Sequence, residues 1–83
     1  MVDLTAKTLP LTSVIPGMVA RIVDIRGGYG FQKKLHMMGL VNGKKLRVVS
    51  VQPLKGPVTV EVNGRQVTLG RGMAGKVLVE VIR

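Results

Sequence analysis

The stretch PVTVEVNGRQVTL, Pro57 to Leu69, decides the fold class. Valines alternate at 58, 60 and 62, and Val67 and Leu69 repeat the pattern beyond Asn63-Gly64. Alternation with a period of two marks a half-buried strand. Asn-Gly accepts positive φ at both positions, as the tightest hairpin turn requires. The pairing that follows sets Val60 opposite Val67 and Val58 opposite Leu69. Val58, Val60, Val62, Val67 and Leu69 then point inward, and Thr59, Glu61, Gln66 and Thr68 outward.

Working outward, the other segments read as further strands and one helix. MVARIVDI (Met18–Ile25) follows the Pro16-Gly17 turn, and Gly27-Gly28 breaks it. KKLRVVSVQ follows a second turn at Asn42-Gly43, and KVLVEVIR closes the chain after a short Gly-rich turn, Gly70 to Gly75. At the front, Leu9, Leu11 and Val14 are placed to cover one end of a core. Between the first two strands, Tyr29 to Met38 has helical spacing. At about 100° per residue, Phe31, Leu35 and Met38 share one face, and Lys33, His36 and Met37 the other. Gly39 stands where a helix needs a left-handed closing residue. About five short antiparallel strands, with one helix after the first, predict a mainly β protein: a small, strongly bent β-barrel.

Composition bounds the function. The chain has 83 residues, 46% of them apolar, which predicts one folded domain over 1–83. There is no cysteine, so disulfides and thiolate metal sites are excluded. Asp3 interrupts any signal-peptide pattern, and no apolar run approaches the ~18 residues of a membrane span. A cytoplasmic location is the expectation.

Thirteen basic against four acidic residues give a net charge of +9. No acid falls between Asp24 and Glu61, whereas Arg26, Lys33, Lys34, Lys44, Lys45, Arg47 and Lys55 do. Such a field attracts nucleic acid, anionic lipid or an acidic protein. A merely solvated basic surface is the plain alternative. Tyr29 and Phe31 are the only aromatics, too few for a platform that stacks single-stranded bases.

The chemical motifs fail one by one. GRGMAGK (Gly70–Lys76) matches the start of a nucleotide-binding phosphate loop, but Val77 replaces the Ser or Thr that would hold magnesium. Gly28 and Gly30 lack the third glycine of a dinucleotide fingerprint, Lys33 standing in its place. One histidine, four scattered carboxylates and the thioethers of Met37 and Met38 do not assemble a clustered donor set. No nucleophile has a base near it, so neither enzyme activity nor a cofactor is expected.

Several segments taken together resemble ferrous iron transport protein A (FeoA). They are PLTSVIPGMVARIVDI, the Gly-rich GGYGFQKKLHMMGLVNG, VQPLKGPVTVEVNGRQVTL and the terminal VLVEV. The resemblance covers about Leu9 to Ile82. Its most specific parts are Leu35-x-x-Met38-Gly39-Leu40-x-x-Gly43, and Pro53-Leu54 with Gly56-Pro57 before the hairpin strand. Asn42 departs from the family's usual proline. Gly70, Gly72 and Gly75 fill a segment that in the family more often reads as an acidic, alanine-bearing helical turn.

The resemblance implies an SH3-like barrel that assists a membrane ferrous-iron transporter with a GTP-binding domain (FeoB). It implies contact with that transporter's cytoplasmic part; the family name does not by itself make this chain an iron binder, and its residues offer no clustered site for iron. The helix face with Lys33, His36 and Met37 is the expected contact, and the loop with Leu54 and Lys55 the alternative. Gly39, Gly43, Asn63 and Gly64 are expected to be structural turns. A basic small-barrel nucleic-acid-binding protein is the competing reading.

Overall fold

The computed structural model describes residues 8–82. Residues 1–7 and 83, with Asp3 and the ends of the expected 1–83 span, lie outside the described part. Strand β1 (Thr8–Pro10) leads through a 3₁₀ turn, Leu11–Ser13, to β2 (Val19–Ile25) and helix α1 (Tyr29–Met37). Strands β3 (Lys45–Val51), β4 (Val58–Val62) and β5 (Arg65–Leu69) follow. A single-turn helix α2 (Arg71–Ala74) and strand β6 (Val77–Val81) complete the described part.

All six strands join one antiparallel sheet in the order β1-β6-β2-β3-β4-β5. The class is the expected one, mainly β with one longer helix after the first long strand. Two details differ. Thr8–Pro10 is a sixth strand, pairing Leu9 with Val79. The barrel is not closed, because β1 and β5 are both edges. The segments leaving those edges meet instead, α2 packing on the 3₁₀ turn. The Gly-rich turn expected between β5 and β6 therefore contains a helical turn, with Ala74 buried beneath it.

The hairpin has the expected register, Val58 opposite Leu69 and Val60 opposite Val67. Val58, Val60, Val62 and Leu69 are buried, while Val67, on the edge strand, packs half-buried against them. Two bulges bend the sheet around this core. In β2 the register shifts between Ile22 and Asp24, and in β3 between Val48 and Ser50. Each inserts one extra residue, Val23 or Val49, which raises local twist and coils the sheet. One core then collects Ala20, Ile22, Leu46, Val48, Val60, Leu69, Val77 and Val79 from the strands, with Leu11 and Val14 at one end.

Candidate functional site

Helix α1 divides its residues as its period dictates. Leu35 is fully buried, and Phe31 and Met38 pack half-buried on the core. Lys33, Lys34 and His36 are exposed, and Met37 is 77% exposed. No side chain caps its N-terminus at Gly28, although Gln32 Nε2 donates back to the carbonyl of Gly27 at 3.0 Å. Lys76 Nζ lies 5.1 Å from the centroid of the Phe31 ring, a cation–π contact across the start of the helix.

The other end is closed by a complete Schellman motif. The Leu40 N–H donates to the Leu35 carbonyl at 3.0 Å and the Gly39 N–H to the His36 carbonyl at 2.9 Å. Gly39 has φ 90°, and Leu40 is buried beside Leu35. Arg65 Nη2 donates to the Met38 carbonyl at 3.2 Å, placing a cation at the negative end of the helix. The remaining turn residues also have positive φ, 88° at Gly43, 55° at Asn63 and 76° at Gly64.

At the far end of β4 the chain makes an unusual turn. Leu54 and Lys55 have φ 59° and 64°, so two non-glycine residues in succession are left-handed. Each such residue costs about 1–2 kcal/mol for its β-carbon. The turn is closed by the Gly56 N–H donating to the Pro53 carbonyl at 3.1 Å, inside a second bond from the Gln52 N–H to the Pro57 carbonyl at 3.0 Å. Gly56 is forced by space: a β-carbon there would sit 2.5 Å from Gln52 Cβ. Arg71 of α2 braces the loop, its Nη2 donating to the Gln52 carbonyl at 3.1 Å and its Nε to the Gly56 carbonyl at 3.3 Å. Leu54 stands 98% exposed at the tip.

The five candidate contact residues thus form two groups. Lys33, His36 and Met37 belong to a helix whose C-terminus meets the Asn63-Gly64 turn. Leu54 and Lys55 lie beyond the opposite end of β4, a five-residue strand that itself spans roughly 13–17 Å. Arg71 had no part in the sequence reading. It sits inside the Gly70–Lys76 stretch tested as a phosphate loop, and nothing local marks a guanidinium that reaches a loop far back in the chain.

No polar or charged side chain is buried among the described residues. No group of three or more His, Asp or Glu there could hold a metal ion. Arg21 with Glu80, at 3.7 Å, is the one ion pair among those residues, partly exposed and so of small energy. Lys33, Lys34, Lys45 and Lys55 are exposed, and none of them forms an ion pair among the described residues. No helix of the described part is long and apolar enough to cross a membrane.

Comparison with known proteins agrees with this geometry. The FeoA domain profile matches residues 9–81, nearly the whole chain. The chain belongs to the FeoA domain family. A Methanocaldococcus jannaschii relative, named provisionally as Fe(2+) transport protein A, is 35% identical over 71 residues, covering 86% of this chain and 84% of that protein. A Porphyromonas gingivalis fusion of Fe(2+) transport protein A with the Fe(2+) transporter FeoB is 38% identical over 72 residues. That match takes in 87% of this chain but spans 8% of the fusion. The crystal structure of an iron uptake regulatory protein, FeoA, superposes with a TM-score of 0.85 at 34% identity, covering 92% of this chain and all of the other. The FeoA fold is therefore shared from β1 to β6.

Proposed function

We propose that this chain is a cytoplasmic accessory protein of ferrous iron uptake, working by protein–protein contact with the cytoplasmic GTP-binding part of a FeoB-type transporter. The observation that carries this reading is the Porphyromonas gingivalis fusion, in which a region 38% identical to this chain shares one polypeptide with FeoB. Covalent linkage turns a weak encounter into an intramolecular one, at effective concentrations that reach the millimolar range for short flexible linkers. Two modules joined in that way in one organism are good candidates to meet as separate chains in another.

The site chemistry favours contact over catalysis. Apolar and basic side chains are displayed outward, and among the described residues no buried polar side chain is placed to activate a nucleophile. Lys33, His36 and Met37 on α1, together with Leu54 and Lys55 on the loop, are the proposed contact residues. No cofactor is required. Capture of the transporter's cytoplasmic domain by this protein, with and without GTP, tests the reading, and no capture in either state rejects it.

A second reading rests on the acid-free basic stretch between Asp24 and Glu61. Electrostatic binding to nucleic acid would use the same lysines. Sequence-selective binding retained at physiological salt would move that reading to first place.

A further inference from the structure

One sheet carries two tight turns at the two ends of strand β4, and they are built from opposite residue types. Asn63-Gly64 takes φ 55° and 76° with residues that accept the left-handed region. Leu54-Lys55 takes φ 59° and 64° with residues that resist it. The chain therefore has an unstrained solution to this geometry and does not use it at the second turn. The strain is also held in place. Arg71 ties down the carbonyls on either side of the turn, and no side chain larger than hydrogen fits at Gly56. What this loop gains is display: Leu54 projects 98% exposed from a backbone that cannot easily relax.

We infer that Leu54 is the anchor of the contact with the transporter, inserting into an apolar pocket whose rim carries carboxylates that pair with Lys55. This rests on the reading that the chain docks on a FeoB-type transporter. Backbone outliers concentrate at ligand clamps and contact sites, where the surrounding structure over-determines them. A single apolar side chain presented on a rigid loop also loses little freedom on binding, which is how a small interface gains affinity. The acidic rim follows from charge: Lys55 adjoins Leu54, Arg71 stands behind the loop, and the acid-free stretch from Ile25 to Val60 contains it.

Stability and association should move in opposite directions. Leu54→Asn, and the double change Leu54→Asn with Lys55→Gly, relieve left-handed strain and should raise the melting temperature, the double change by about 4–8 °C. The same changes should weaken binding to the purified cytoplasmic part of the same organism's FeoB-type transporter about tenfold or more, measured by calorimetry. Lys55→Glu should weaken it further at low salt than at high salt. Wild-type affinity in Leu54→Asn would overturn the anchor while leaving the accessory reading intact. A melting temperature that falls in both variants would overturn the strain argument. If the wild-type protein does not bind the transporter, the accessory reading fails and the anchor with it. If sedimentation shows a wild-type dimer that Leu54→Asn dissociates, the occupant is a second copy and the inference is wrong.

Discussion

Gly39 and Asn63 meet face to face, so closely that a β-carbon on Gly39 would lie 2.9 Å from Nδ2 of Asn63. Both are left-handed, at φ 90° and 55°, and the Arg65 bond to the Met38 carbonyl lies beside them. The stop of helix α1 and the turn of the β4–β5 hairpin are therefore one joint. The amide end of Asn63 can swing aside, so the main cost of a side chain at Gly39 is its φ. Gly39→Ala should lose about 1–2 kcal/mol, and Gly39→Val more, because β-branching makes the left-handed region worse still. Thermal melts should show roughly 4–8 °C lost per kcal/mol. An unchanged melting temperature in Gly39→Val would mean that the helix ends in some other way.

The two faces of α1 should separate stability from contact. Leu35→Ala empties a fully buried site and should cost about 2–5 kcal/mol. Met37→Ala and Lys33→Ala change exposed positions and should stay within about 0.5 kcal/mol of wild type. On the proposed function, those two changes together should weaken association with the transporter's cytoplasmic part. A double variant that binds like wild type removes the helix face from the contact and leaves the Leu54 loop.

Metal binding gives a third check. His36 is exposed, and its sequence neighbour Met37 points about 100° away around the helix. Calorimetry with ferrous iron or zinc should find no stoichiometric sub-micromolar binding, and His36→Ala should change nothing. Tight binding abolished by that substitution would point to donors pooled between two copies.

The fold was legible wherever local chemistry and periodicity agreed. Alternating valines with Asn63-Gly64 specify the hairpin register, and Leu35, Gly39 and Leu40 specify the helix and its stop. The bulges had a signal that an even period hides. Buried positions in β2 run Ala20, Ile22, Ile25, and in β3 Leu46, Val48 with half-buried Val51, so the spacing lengthens from two to three where the register shifts. Strand β1 was obscured because Pro10 is a poor strand residue and is tolerated only at an edge. Pro53 and Gly56-Pro57 marked the Leu54-Lys55 loop, but nothing marked its left-handed backbone, because the residue types at Leu54 and Lys55 argue against the conformation that the hairpin and Arg71 impose. Competition between local preference and tertiary constraint is therefore concentrated in the loop that displays Leu54.

Nucleic acid, if bound, should be held by charge alone. Lys33, Lys34, Lys44 and Lys45 would each release counterions on meeting a phosphate, with a slope of roughly −0.9 in log affinity per log salt for each contact on duplex DNA. Fluorescence anisotropy against unrelated duplexes should give equal, weak affinities that collapse by physiological salt. A preference for one sequence that survives there would contradict this.

Arg71 should act on the contact without needing to touch the partner. Its fork of donors spans two loop carbonyls, at 3.1 Å from Gln52 and 3.3 Å from Gly56, and so fixes the distance between the two sides of the turn. Lysine presents a single ammonium on a flexible stem and cannot reproduce that geometry. Arg71→Ala and Arg71→Lys should both leave the sheet intact, with a loss of about 1 kcal/mol for bonds of this partly exposed kind. The loop should loosen, and hydrogen exchange at the Gly56 and Gln52 amides should quicken while the amides of β4 and β2 stay protected. Association with the transporter should weaken in both variants, because Leu54 must then be ordered at the moment of binding. Combining Arg71→Ala with Leu54→Asn separates positioning from direct contact. If Arg71 acts through Leu54, the double variant binds no worse than Leu54→Asn alone. Fully additive losses would mean that Arg71 makes its own contact with the partner, and unchanged exchange at Gly56 would mean that the brace does not hold the turn.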